Sequence, residues 1–270
     1  MGLDLINKSR LKSALELTKK YIDSIYPKPN LLINFYFFTP NSSTLPDQLP
    51  INQRKVSGTI LTPGYFIDCW KLASNSSATL TKDGIRLNGS IEQILEVDPG
   101  GEVTASVLTD TGIQDASYDK STKTFRITAN NQVIKAAKLE LGKSQTLAHK
   151  EGSNWILNDP PPNPALELLK CQKYQNIFEY YNIARAVYLT QGYIDFIIPV
   201  SVALIKNPTI INPENLFVSN SLGISEISGF TFSVVSSLKS SIRVRATKGN
   251  HGLTDATLHS NKNIIFDANL

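Results

Sequence analysis

The feature that most constrains this chain is an alternation of apolar and polar residues with a period of two, kept up in short runs over much of its length. Ile85 and Leu87, then Val103, Ala105 and Val107, then Phe125 and Ile127, then Ala137, Leu139 and Leu141 carry polar residues between them. Successive side chains of a strand point to opposite faces, so this pattern predicts half-buried β-strands. Turn residues separate the runs at Lys82-Asp83-Gly84, Asp98-Pro99-Gly100-Gly101, Thr111-Gly112 and Asn130-Asn131. That spacing suits an antiparallel β-sandwich, for which a jelly roll is the preferred version.

A different period opens the chain. Leu11, Leu15, Thr18, Ile22 and Ile25 step by four, three, four and three, the seam of a coiled-coil-like helix that Pro27 and Pro29 end. An isolated helix shorter than about 12 to 15 residues is marginal in water, so a seam this short implies a partner. We therefore expect residues 1–29 to be an oligomerising helix that uses Leu11, Leu15, Ile22 and Ile25, and residues 30–145 to be the β-sandwich. Residues 146–163 are polar and end in Asn158-Asp159-Pro160-Pro161-Pro162-Asn163, which predicts an extended Pro-rich linker. Residues 164–270 follow as a small C-terminal β domain, sandwich-like, with one helix on its entry side. Asn163 and Pro164 form a good N-cap and first-turn pair for that helix, with Glu167 in its first turn. Beyond it, strands are expected at 183–190, 193–205, 209–211, 229–236, 241–247 and 263–268. The fold class is thus mainly β, and no fixed-period repeat is present.

Charge and hydropathy narrow the function. The net charge is only +4, and Lys and Arg are scattered among acids, so no footprint for nucleic acid stands out. The longest apolar stretch, residues 194–205, is broken by Asp195, Pro199 and Ser201 and is too short to insert in a membrane. The first twenty residues have no continuous apolar segment or small-residue cleavage site, so synthesis in a cytoplasm without a secretory leader is expected. Cys69 and Cys171 sit in apolar contexts in what read as different domains, and each is expected to be a buried thiol.

The inventory for catalysis is thin, and we expect no enzyme and no cofactor. There are three histidines, no Gly-x-Ser-x-Gly, no phosphate loop, no His-Glu-x-x-His and no Cys-x-x-Cys. His251, Asp255 and His259 have metal-ligand types at a spacing of four, but Gly252 and strand-like flanks point to a turn rather than one helix face, so solvated side chains are the expected reading. The pairs Glu92 with Glu96 and Asp110 with Asp115 match glycosidase carboxylates only at the level of chance. Aromatic residues are more informative, because sugars stack on exposed rings while polar groups take their hydroxyls. Tyr180, Tyr181, Tyr188 and Tyr193 are the candidate glycan-binding residues; Trp70 reads as core.

Several segments together carry a family likeness. Asn30-Leu-Leu-Ile-Asn-Phe35, Pro50-Ile-Asn-Gln-Arg54 and Tyr65-Phe-Ile-Asp-Cys-Trp70, in that order, resemble the opening of a β-sandwich module of phage tail-fibre and prophage tail proteins. Ile134-Lys-Ala-Ala-Lys-Leu-Glu-Leu-Gly142 resembles its last strand, and Asn163-Pro-Ala-Leu-Glu-Leu-Leu-Lys-Cys-Gln-Lys-Tyr174 the helix that opens the next domain. His251-Gly-Leu-Thr-Asp-Ala-Thr-Leu258 and Phe266-Asp-Ala-Asn-Leu270 are similar to the family's C-terminal unit. The chain departs from the pattern between Phe35 and Pro50, where it is longer. The resemblance implies a carbohydrate-binding-module-like jelly roll and a small β domain at the host-contacting end of a tail appendage. It also implies a homotrimer, in contact with other tail or baseplate proteins, in the virion tail of a phage or phage-tail-like particle. The function it implies is non-catalytic receptor binding to a bacterial cell-surface polysaccharide. It brings no binding motif with it. An adhesive or carbohydrate-binding module of a secreted bacterial protein is the alternative, and a capsule depolymerase a third reading that the site inventory does little to favour.

Overall fold

A computed structural model describes residues 11–18, 28–38, 49–178, 181–220 and 226–270, and the chain is mainly β. The described residues fall into two compact units. The first draws on Met1–Ser43, Ser57–Tyr65 and Trp70–Pro162; the second on Thr44–Val56, Phe66–Cys69 and Asn163–Leu270.

Helix α1 covers residues 11–18 of the first unit, and all eight of them are exposed. The strands that follow are β1 (Thr59–Ile60), β2 (Gly64–Ile67), β3 (Trp70–Leu72), β4 (Ser77–Thr81), β5 (Gly84–Ile94) and β6 (Val103–Thr109). Then come β7 (Gly112–Asp115), β8 (Ser117–Asp119), β9 (Thr124–Leu141), β10 (Ala148–Glu151) and β11 (Asn154–Leu157). The main sheet runs β1-β4-β5-β9-β6-β7, all antiparallel, with β3 also on β5 and β8 also on β9. Its core is built on Trp70, which is wholly buried and packs edge-to-face on Phe37 at 5.1 Å and on Phe125 at 6.0 Å. The indole N–H donates to the Asn34 carbonyl at 2.9 Å, so the ring is buried without an orphaned donor.

Residues 146–163, expected as a linker, contain the β10–β11 hairpin and are tied to the sheet. The buried Lys138 ammonium meets Asp159 at 2.6 Å, and the buried Glu140 carboxylate accepts from the Thr146 N–H at 2.6 Å. The alternation along β9 misled in the same place: Lys138 and Glu140, expected to face water, are buried, and Leu141 is 47% exposed. Burying two charges requires partners, and the polar residues of this passage supply them. Within this passage the strands are Ala148–Glu151 and Asn154–Leu157, and the run from Asn158 to Asn163, with its three prolines, has no strand structure.

In the second unit, α2 (Pro164–Gln172) starts as the sequence predicts. The Asn163 side chain accepts from the Ala165 and Leu166 N–H groups at 3.0 and 3.2 Å, and Pro164 opens the first turn. The strands are β12 (Gln175–Phe178), β13 (Tyr181–Leu189), β14 (Tyr193–Pro199), β15 (Thr209–Ile211) and, after a 3-10 turn at Pro213–Asn215, β16 (Leu216–Ser219). They continue with β17 (Glu226–Ile227), β18 (Thr231–Leu238), β19 (Ser241–Thr247), β20 (Thr257–Ser260) and β21 (Ile264–Asp267). One antiparallel sheet has the order β17-β16-β20-β13-β14-β19-β18, the other β12-β21-β15. Ile194, Phe196, Ile198, Val218, Ile242, Val244 and Leu258 of the first sheet share a buried cluster with Ile210, Ile264 and Phe266 of the second. That is a sandwich core. β14 stops at Pro199, short of the expected 205, with Val200 still donating to the Ser240 carbonyl at 3.0 Å. The unforeseen β12, β16, β17 and β20 are short, with few alternations to read.

Candidate functional site

β14 and β19 turn Ile194, Phe196, Ile198 and Ile242, Val244, Ala246 into the core. Strand alternation therefore puts Tyr193, Asp195, Ile197, Arg243, Arg245 and Thr247 on the outer face. The register sets them in rows. Tyr188 pairs with Asp195, Asp195 with Arg245, and Arg245 with Ser233; Tyr193 pairs with Thr247, and Thr247 with Thr231. A β-bulge between Ala186 and Tyr188 shifts the alternation of β13, and Tyr188 is 51% exposed on this same row.

Two of the four candidate tyrosines thus meet. The rings of Tyr188 and Tyr193 lie 5.9 Å apart, tilted by 35°, and the Arg245 guanidinium sits 3.8 Å from the centre of the Tyr193 ring. Tyr181 lies in β13, in register with Ser260, and Tyr180 is outside the described residues. In register with Tyr188 is Asp195, wholly buried, with both carboxylate oxygens bonded. Arg245 binds it in bidentate fashion, Nε to Oδ1 at 2.7 Å and Nη2 to Oδ2 at 2.9 Å. Arg243 donates to Oδ2 from Nε at 3.1 Å and again from Nη2. The Arg245 bonds, then those of Arg243, hold the Asp195 carboxyl below the usual carboxylate range, and Asp195 raises Arg245 in return. The result is a planar cation fixed over an aromatic ring, with hydroxyls of Thr231, Ser233 and Thr247 exposed nearby. Such a face can stack the apolar side of a sugar and donate to its oxygens. Sequence reasoning found the tyrosines and missed the arginines, whose i, i+2 spacing on an alternating strand was the available signal.

The other candidate residues are dispersed. His259 stacks on Phe217 at 5.2 Å and its Nε2 contacts the Ser219 hydroxyl at 2.6 Å; burial pushes its pKa down, favouring the neutral ring. The His251 Nδ1 accepts from the Leu253 N–H at 3.1 Å, its ring tilts on Phe230, and Asp255 is exposed. Among the described residues no three His, Cys, Asp or Glu side chains gather as a metal site. Glu92 bonds Arg126 across strands, and Asp110 accepts from the Val133 N–H. Leu11 and Leu15 are 50% and 61% exposed on α1, while Ile22 and Ile25 are outside the described residues. A cavity of about 410 Å³ that the sequence did not suggest is lined by Phe217, Phe230, Phe232, Leu216, Ile227 and Glu214.

The segments that carry the family likeness have a structural task in the second unit. Asp68 accepts from the Gln53 N–H at 3.1 Å, from Gln53 Nε2 at 2.5 Å and from Gln175 Nε2 at 2.6 Å, and Arg54 pairs with Asp267 at 3.0 Å. Cys69 and Cys171, expected in different domains, are both in this unit, buried and hydrogen-bonded to each other as free thiols. No family model, curated protein or solved structure gives a significant match to this chain.

Proposed function

We propose that this chain is a non-catalytic receptor-binding component of a phage tail or phage-tail-like particle, and that it holds a bacterial cell-surface glycan on the outer face of β13, β14 and β19. The observation that carries the reading is the Tyr188–Tyr193 pair with Arg245 fixed over one ring. Two rings set side by side offer a stacking surface at small entropic cost, since Tyr193 is held by its strand and by the guanidinium. The exposed hydroxyl side chains beside them suit the hydroxyl-rich edge of a saccharide. The ordered sequence segments point to a tail appendage, and the exposed leucines of α1 favour a self-associated form, a homotrimer by the family likeness.

The test is binding of the labelled protein to bacterial cells and to polysaccharide purified from them, across a panel of strains. Tyr188→Ala is expected to weaken binding to a susceptible strain about tenfold, the loss of roughly one stacked ring, with the thermal melt unchanged. Binding to no strain and no polysaccharide would refute the proposal, as would full binding by a folded variant lacking both tyrosine rings.

A further inference from the structure

The strands that form the platform are unbalanced in charge. β13, β14, β18 and β19 together hold Arg185, Arg243 and Arg245 and a single acid, Asp195, whereas the whole chain has 27 Lys and Arg against 23 Asp and Glu. Arg185 is exposed and lies between Ala184 and Ala186, which pack on the core, so it too faces outward. Asp195 is wholly buried and engages both Arg243 and Arg245, whose side chains keep 40% and 30% of their exposure. One carboxylate cannot neutralise two guanidiniums, and it takes up Nε and Nη2 of each. The edge of each guanidinium that carries Nη1 is not the one engaged with Asp195. The face accordingly combines a net positive potential, donors in a rigid plane and two aromatic rings.

From this we infer that the ligand of the Tyr188–Tyr193 face is an anionic polysaccharide, with a carboxylate or phosphate group seated against Arg243 and Arg245 while an adjacent sugar ring stacks on the tyrosines. The inference rests on the glycan-binding reading above and narrows it to one charge class. Guanidinium matches both anions through paired N–H donors, so uronate and phosphodiester polymers share the recognition chemistry. The Asp195 clasp orients the two guanidiniums before any ligand arrives, which removes part of the ordering cost of binding.

Binding of the whole chain is measured against polygalacturonate, a polyglycerol-phosphate teichoic acid, neutral dextran and a single-stranded DNA homopolymer, at low and at high salt. The expected result is that one of the two anionic glycans binds about tenfold or more tightly than dextran, that salt weakens it, and that Arg243→Gln and Arg245→Gln each reduce it about tenfold. Which anionic polymer wins identifies the source of the charge. Arg243→Lys, which keeps the cation, should retain more affinity than Arg243→Gln; this comparison also keeps the test open should the Gln variants unfold in a thermal melt. Equal binding of anionic and neutral glycans, with sensitivity to Tyr188→Ala, would overturn the inference and leave the glycan reading standing. Anion binding indifferent to both arginines would overturn the inference, as would tightest binding to DNA. Binding to neither anionic polymer would overturn the inference, and the glycan reading falls with it only if the panel of strains and their polysaccharides is silent as well.

Discussion

Asp68 receives three hydrogen bonds in the second unit, and burial still pushes its carboxyl up to about 7, against the pull of Gln53, Arg54 and Gln175. The folded chain therefore holds a proton there that an unfolded chain, at the ordinary value of 3.8, has released. Stability from this group is fully present below 3.8 and is lost as pH rises through about 7. Thermal melts across that window should fall with rising pH in the native chain and fall less in Asp68→Asn, by on the order of a few kcal/mol at full effect. Parallel slopes in the two proteins would contradict the assignment. Asp195 runs the other way: its pKa is depressed by Arg245 and Arg243, so its contribution is present above the ordinary carboxylate value and lost as pH falls through the lower folded one. Neither role was legible in the residue itself. Asp68 lies in a segment noticed only for its likeness to a family, and Asp195 was read as a break in an apolar run. What distinguishes them is the partners, Gln53 and Gln175 in one case and two arginines about fifty positions away in the other, which no local pattern announces.

At the level of elements, period and turn chemistry located β15, β19, β21 and the start of α2 closely, because each has an alternating run, clear turn residues or a cap. They failed where burial is two-sided. β9 carries Lys138 and Glu140 inside, and the passage after it supplies Asp159 and Thr146 to meet them. A sequence pattern counts polar residues as outward unless a partner is known, so the passage read as a linker. Breaking such a buried pair from one side costs about 3 to 5 kcal/mol, and because Glu140 also lies 3.9 Å from the Lys138 ammonium the loss here belongs at the lower end. Asp159→Ala should therefore lower the urea unfolding free energy by about that amount, and a loss below about 1 kcal/mol would mean that the passage is not held by this contact. The hairpin is also seated sterically: a side chain at Gly112, whose φ is +124°, would meet the Trp155 indole at 2.7 Å.

For the molecule as a whole, the association state is the least local property, and the sequence bears on it only through a short helical seam and a family likeness. Residues 11–18 are helical, as the seam requires, and Leu11, Leu15 and Leu17 are 50%, 61% and 68% exposed. Burying a leucine contributes about 1.5 to 3 kcal/mol, so a partner helix stabilises this segment considerably. Light scattering should give an integral multiple of the single-chain mass, three by the family likeness, and Leu11→Glu with Leu15→Glu should return the single-chain value while the β units keep their circular dichroism. A native chain that is monomeric at micromolar concentration would sink the proposed role of α1. Multivalency of the kind proposed would convert weak single-site glycan contacts into firm attachment.

Glycan binding on the outer face of β13, β14 and β19 is the proposal on which the other roles depend. Backbone amide shifts of the isotopically labelled chain, followed by nuclear magnetic resonance during titration with an oligosaccharide from a bound strain, test it most directly. Saturable shifts are expected, centred on Tyr188, Tyr193, Ser233, Arg243, Arg245 and Thr247. Shifts confined to the cavity walled by Phe217, Phe230 and Phe232, or to the first unit, would contradict it.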